Sequence, residues 1–181
     1  MPLTTAQIAI LKAAITAEID PTFVALRQAG ATGAMTEWYN APSPYVVWRS
    51  TTPAADIFDA IVWANLTPAD TPDGTVVWHN RSLACQGKQF NVQTLLAGRE
   101  TIGSGKPNVR AGLQDALTNV PAGAAGANIS AGWAAVRVAM QRAATRAEKL
   151  YATGLGTAAT PGVLGFEGGL VEYDIVQAFL Q

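Results

Sequence analysis

The chain has 181 residues, of which 49% are hydrophobic and only 14% charged, with a net charge of −1. That length suits one domain, or one domain with an extended arm. A charge content below the roughly 25% of ordinary soluble domains leaves neutral surface of the kind that contacts other chains, although abundant Ala and Gly also inflate the hydrophobic count.

No apolar run approaches the ~20 residues of a membrane span, so no membrane partner is expected. The opening stretch, MPLTTAQIAILKAAITAEID, carries Lys12 inside its apolar part and no basic leader. It reads as an amphipathic helix, not a signal peptide. Cys85 is the single cysteine, which rules out an intrachain disulfide and fits a reducing compartment. Charge is unevenly spread: residues 1–80 hold three basic against seven acidic side chains, 81–149 nine against three, and 150–181 none against three. Either a basic face turns toward nucleic acid, or the basic segment is neutralised by acidic neighbours in the fold or assembly.

In chain order, Thr4 or Thr5 caps a helix to about Ala17, with Ile8, Leu11, Ala14 and Ile15 at helical spacing. Asp20-Pro21 starts a second helix that stops before Gly30, and a third covers about 34–40. Tyr45 to Arg49 is rich in β-branched and aromatic residues and predicts a strand. Thr52 is expected to cap a helix running to about Trp63, with Asp56 in its first turn. Residues 65–75 read as a loop and 75–78 as a short strand able to pair with 45–49. A longer helix follows from about Ser82 to Gly98, with Leu83, Phe90, Leu95 and Leu96 inward. Gly103-Ser104-Gly105-Lys106-Pro107 reads as a flexible joint, Asn108 as the cap of a helix to about Val120, and 121–126 as a second break. The longest helix is expected over about 130–152, ended by Gly154. Residues 163–169 predict a short strand and tight turn, and a terminal helix runs from about 171 to 180. The fold class is therefore mostly α: a helical bundle with two or three short strands, a possible β-hairpin and a C-terminal arm. The expected division is a helical domain over 1–160 and a strand–turn–helix arm over 161–181.

Patterns for chemistry are lacking. His79 is the only histidine and cannot make a two-histidine zinc site. A Cys85–His79 nucleophilic pair is conceivable in space, but a buried thiol and an ordinary loop imidazole explain the two residues more simply. The GSGK at 103–106 lacks the glycine five residues before its GK pair and has Pro107 where a phosphate loop needs a hydroxyl. Asp56 with Asp59, and Glu172 with Asp174, suit helix first turns and solvated faces. No catalytic residue, cofactor or metal is implied, and the expectation is a protein that is not an enzyme. The five tryptophans suit core or interface packing better than base stacking.

Arg142, Arg146 and Lys149 stand at i, i+4 and i+7, one stripe on a continuous helix. They are solvated cations near a helix C-terminus, or a contact for acidic partner loops or DNA backbone without base specificity. The terminal helix offers Val171, Tyr173, Ile175, Val176, Phe179 and Leu180, either for docking on a partner or for closing the chain's own core.

Several segments together resemble a known family. They are Gln89-Phe90-Asn91-Val92-Gln93, the run Asn108 to Leu113, the run Ala144 to Gly154, and Gly165-Phe166-Glu167-Gly168 before the terminal helix. With the opening helix and the strand around Val47-Trp48-Arg49, they are similar to tailed-bacteriophage head–tail connector (adaptor or neck) virion proteins. The resemblance implies a homo-oligomeric ring, commonly dodecameric, docked below a portal protein and above a further neck or tail protein. DNA would pass through its lumen close to the basic residues. It places the protein at the head–tail junction of the virion, after synthesis in the host bacterial cytoplasm. The rival readings are another neck or capsid component (stopper, tail completion or head decoration) and a DNA-binding module with a steep salt dependence.

Overall fold

The computed structural model describes residues 3–66, 78–121 and 128–180, with the side chains of all but 78–83 among them. In chain order the elements are α1 (Thr5–Ala17), α2 (Pro21–Gln28), α3 (Thr32–Asn40), β1 (Pro42–Trp48), β2 (Thr52–Pro53), α4 (Ala54–Ala60) and α5 (Trp63–Leu66). They continue with α6 (Trp78–Leu96), β3 (Thr101–Ile102), α7 (Pro107–Leu117), α8 (Trp133–Ala139), β4 (Gln141–Thr145), α9 (Arg146–Tyr151) and α10 (Glu172–Leu180). The fold is mostly α with short strands, as the sequence predicts. β1 pairs with β4 and β2 with β3. Two compact units result, residues 1–47 with 143–181, and residues 48–142.

In the first unit, local chemistry sets the helix starts. Thr4 and Gln7 form a capping box at α1: the Gln7 N–H donates to Thr4 Oγ1 at 3.3 Å, and the Thr4 N–H donates to Gln7 Oε1 at 2.9 Å. Asp20 Oδ1 accepts from the Thr22 and Phe23 N–H groups, and Pro21 opens α2 where its missing N–H costs nothing. The buried core joins Leu11 and Ile15 of α1, Phe23 of α2, and Met35 and Tyr39 of α3 to Ala147 of α9 and Ile175 and Ala178 of α10. Each large apolar side chain buried there contributes about 1.5–3 kcal/mol relative to exposure. The Phe23, Trp38 and Tyr39 rings pack with centroids 4.6 to 5.4 Å apart. A loop over 152–163 closes on Tyr45, whose hydroxyl donates to Gly154 O at 2.7 Å. Gly156 has φ +65°, and a Cβ there would run into the Tyr45 ring, so glycine is required at this position.

The second unit has its own core, with Ile57, Leu66, Val92, Leu113, Leu117 and Met140 among its buried residues. Thr52 does not cap a helix. It pairs with Ile102 in β2–β3, is buried, and its hydroxyl lies 2.8 Å from Ser104 Oγ. α4 starts at Ala54 instead, with Pro53 in the cap position. α6 begins at Trp78, so the strand expected over 75–78 does not include that residue, and 75–77 lie outside the described residues. Along α6 the buried face is Cys85 and Val92, two turns apart, which turns Phe90 outward to 67% exposure. Leu95 and Leu96 are half-buried against the core, and the Leu83 side chain lies outside the described residues.

The segment 103–106 is not a free joint. Ser104 is buried and its hydroxyl donates to Arg49 O at 2.9 Å, while the Gly105 N–H donates to Ser50 O at 3.1 Å. Lys106, not Asn108, stands at the cap position of α7. Of the break expected over 121–126, residues 122–126 lie outside the described residues.

The long helix expected over 130–152 is three elements. α8 ends at Ala139, β4 follows, and α9 starts afresh at Arg146. Two features overrule the helical propensity of Gln141 to Ala144. Pairing with β1 draws 141–145 into a strand, bounded by the Arg49 N–H to Met140 O bond (2.9 Å) and the Arg146 N–H to Ala41 O bond (3.0 Å). Thr145 and Glu148 then form a second capping box, the Glu148 N–H donating to Thr145 Oγ1 at 3.1 Å and the Thr145 N–H to Glu148 Oε2 at 3.0 Å.

Candidate partner-docking surface

Because the helix breaks at β4, Arg142, Arg146 and Lys149 do not form one stripe. Arg142 lies in β4 and is half-buried. Arg146 opens α9, and its guanidinium lies 4.1 Å above the Trp38 ring centroid while Nη1 donates to Trp38 O at 3.0 Å. This arginine is a structural clamp between α9 and α3, combining cation–π attraction with a charge-assisted hydrogen bond. Lys149, one turn on, is exposed.

Arg146 and Lys149 share a recess of about 260 Å³ in the first unit with Glu18, Asp20, Trp38, Tyr39 and Ser43. Glu18, Asp20 and Ser43 of this lining are engaged locally. Glu18 Oε1 accepts from the Ile19 and Asp20 N–H groups at 2.9 and 3.0 Å, Asp20 caps α2, and Ser43 Oγ donates to Ala144 O at 2.9 Å. The recess lining holds the Glu18 and Asp20 carboxylates and the Lys149 amine beside Ser43, and neither imidazole nor thiol. In the same unit Glu148 is buried, and its second oxygen accepts from the Gly168 N–H at 3.1 Å, tying the approach to α10 onto α9.

Tyr39 is the feature that the sequence does not announce. Its ring is buried, and its hydroxyl has no hydrogen-bond partner among the described residues. Burial, and then the Glu18 carboxylate, hold its pKa well above the ordinary phenol value. Tyr151 is pushed up to about 12, by burial first and Asp174 second, and its hydroxyl donates to Gln7 O at 3.1 Å. Neither phenol is poised for proton transfer near neutrality.

Cys85 is buried in the second unit's core, with Sγ 3.9 Å from Pro121 O. The His79 side chain lies outside the described residues. Among the described residues no group of three or more His, Cys, Asp or Glu is placed to hold a metal, and no helix is long and apolar enough to cross a membrane.

The terminal helix divides its apolar residues between two faces. Ile175 and Ala178 are buried against the core of the first unit, with Phe179 packed beside them. Asp174 is also buried and accepts from the Val171 N–H at 3.0 Å, which anchors the start of α10. Tyr173, Val176 and Leu180 fall at i, i+3 and i+7 on the opposite side. Tyr173 is 62% and Leu180 71% exposed, and Val176 is half-buried. Val171, just before the helix, is exposed too. The sequence names all six apolar residues of this region without separating the two faces, because the separation depends on which side α1 and α3 cover.

No family model matches the chain, and neither a curated protein nor a solved structure matches it.

Proposed function

We propose that this chain is a head–tail adaptor of a tailed bacteriophage, a structural virion subunit that assembles as a ring below the portal and joins capsid to tail. The observation that carries the reading is α10: its inner face is locked into a core while Tyr173, Val176 and Leu180 line the other face, Tyr173 and Leu180 exposed and Val176 half-buried. An apolar stripe on a rigidly held helix docks with little loss of conformational freedom. The low charge content and the family-like segments at 89–93, 108–113, 144–154 and 165–168 support the same reading. The mechanism is geometric. Subunit contacts hold a channel open between head and tail, α10 docks on the portal or a neighbouring subunit, and DNA passes without base-specific contact. Lys149 is the member of the basic triad retained for an acidic neighbour or the DNA backbone, since Arg146 is committed to Trp38.

The test is a Tyr173→Ser/Leu180→Ser chain expressed in phage-producing cells. It is expected to fold with an unchanged circular dichroism spectrum, yet to be missing from purified particles. Normal incorporation would remove α10 as the docking element. Labelled protein found by electron microscopy away from the head–tail junction would remove the adaptor reading itself.

A further inference from the structure

The two units carry opposite net charge. Residues 1–47 with 143–181 hold four Lys and Arg against seven Asp and Glu, net −3, whereas 48–142 hold eight against six, net +2. Each unit also sets a pair of like charges beside exposed or half-buried apolar groups.

On the first unit, Gly33, Glu37 and Asn40 share one face of α3, at i, i+4 and i+7. The segment 169–172 runs along that face. Asn40 Nδ2 donates to Leu170 O at 2.9 Å, and the Leu170 N–H returns a bond to Asn40 Oδ1 at 2.8 Å. At the other end, Glu172 Oε1 accepts from the Thr32 hydroxyl at 2.5 Å and lies 3.7 Å from where a Cβ on Gly33 would stand. Glu37 and Glu172 are both exposed along this seam, with Val171 58% exposed beside them.

On the second unit, two cations, Lys106 and Arg110, stand at the pinned turn 103–106. The Arg110 guanidinium lies 4.4 Å over the half-buried Trp48 ring and donates to Ser104 O at 2.8 Å. Ser104 in turn bonds Arg49 O, and Lys106 is exposed at the start of α7. Arg49 Nε donates to Gln141 O at 3.1 Å.

We propose that these surfaces meet between copies of this chain, the Glu37–Glu172–Val171 seam of one subunit seating on the Lys106–Arg110–Trp48 corner of the next. The contact joins two different patches, so it is heterologous and either closes as a ring or grows as a filament. Opposite charge fixes its polarity, because seam against seam and corner against corner both repel. Salt weakens it, since both patches face solvent. This inference rests on the ring reading above and names the surfaces that would build the ring.

The test uses full-length protein at low salt, with mass measured by sedimentation. Glu37→Lys/Glu172→Lys and Lys106→Glu/Arg110→Glu are each expected to abolish self-association. Lys106→Glu alone, at an exposed position, serves as a corner variant that leaves the Arg110–Trp48 stack intact. A mixture of seam and corner variants is expected to recover assembly with the two alternating, because intact seam meets intact corner and reversed seam meets reversed corner. Placing both reversals in one chain is expected to restore assembly. If the unaltered chain assembles and the variants assemble equally well, these surfaces are wrong while the ring reading stands. If the unaltered chain stays monomeric at every concentration, both fail. If Lys106→Glu abolishes binding to duplex DNA and leaves assembly untouched, the corner is a polyanion site and the proposal is overturned.

Discussion

Tyr39 and Arg146 show how one side chain can be spent on structure at a place that resembles a site. The Tyr39 hydroxyl is buried without a partner among the described residues, a burden of about 1–3 kcal/mol for such a group. Tyr39→Phe is therefore expected to raise stability by about 1 kcal/mol, read as a later urea midpoint at pH 7. The same phenol sets an alkaline limit. Tyr39 and Tyr151 are both held neutral above the ordinary phenol range near 10, where the unfolded chain ionises. Their contribution is whole below pH 10 and is lost as pH rises toward about 12, so the urea midpoint should fall steeply over that interval. In Tyr39→Phe the fall should be shallower, and an equal slope in the two proteins would contradict the assignment. Arg146 behaves differently from Lys149, although the sequence presents them as a pair. Arg146→Lys gives up the planar stack on Trp38 and the directed bond to its carbonyl, a loss of about 1 kcal/mol in thermal or urea unfolding. Lys149→Ala, at an exposed position, should stay within about 0.5 kcal/mol of the unaltered protein.

At the scale of elements, caps decide where helices begin, and the legibility of each cap depended on what preceded it. Thr4 before α1 and Asp20-Pro21 before α2 were readable because the cap, the first turn and the apolar spacing lie within a few residues. The Thr145–Glu148 box has the same form but follows Gln141-Arg142-Ala143-Ala144, residues that favour helix. Nothing local distinguishes a strand there, because the partner strand β1 is about a hundred residues earlier in the chain. That single missed break also removed the basic stripe, since the spacing of 142, 146 and 149 has meaning only on an unbroken helix. Phe90 faces outward, against the side its spacing predicts, for a related reason: the face of α6 that is buried is set by α7 and α5, not by its own period. In the terminal helix the residues were legible and their partition was not. Thr145→Ala tests the break directly. Losing the side-chain cap should cost about 1 kcal/mol, measured by urea unfolding, while Thr157→Ala in the exposed 157–160 turn should cost less.

For the whole molecule, the consequential fact is that the two hydrophobic clusters share no residue and follow the division into units. The chain enters the second unit once, after Val47, and leaves it once, after Arg142. That unit is therefore one continuous stretch of about 95 residues, long enough to bury a core of its own. The first unit is built from both ends of the chain. Its α1–α3 segment and its α9–α10 segment must find one another across everything between, and closing so long a loop carries an entropic cost. Excised residues 48–142 should consequently fold alone, with a helical circular dichroism spectrum and a single cooperative urea transition. Residues 1–47 and 143–181 supplied as separate peptides should remain largely unfolded, because neither holds the Leu11–Phe23–Ile175 core by itself. Joining those two segments through a short Gly/Ser linker supplies the missing closure and should recover cooperative unfolding. Within the excised second unit, Leu113→Ala should cost about 2–5 kcal/mol, as expected for a fully buried leucine. A non-cooperative transition in 48–142 would mean that its cluster does not suffice as a core, and the division into two folding units would fall with it.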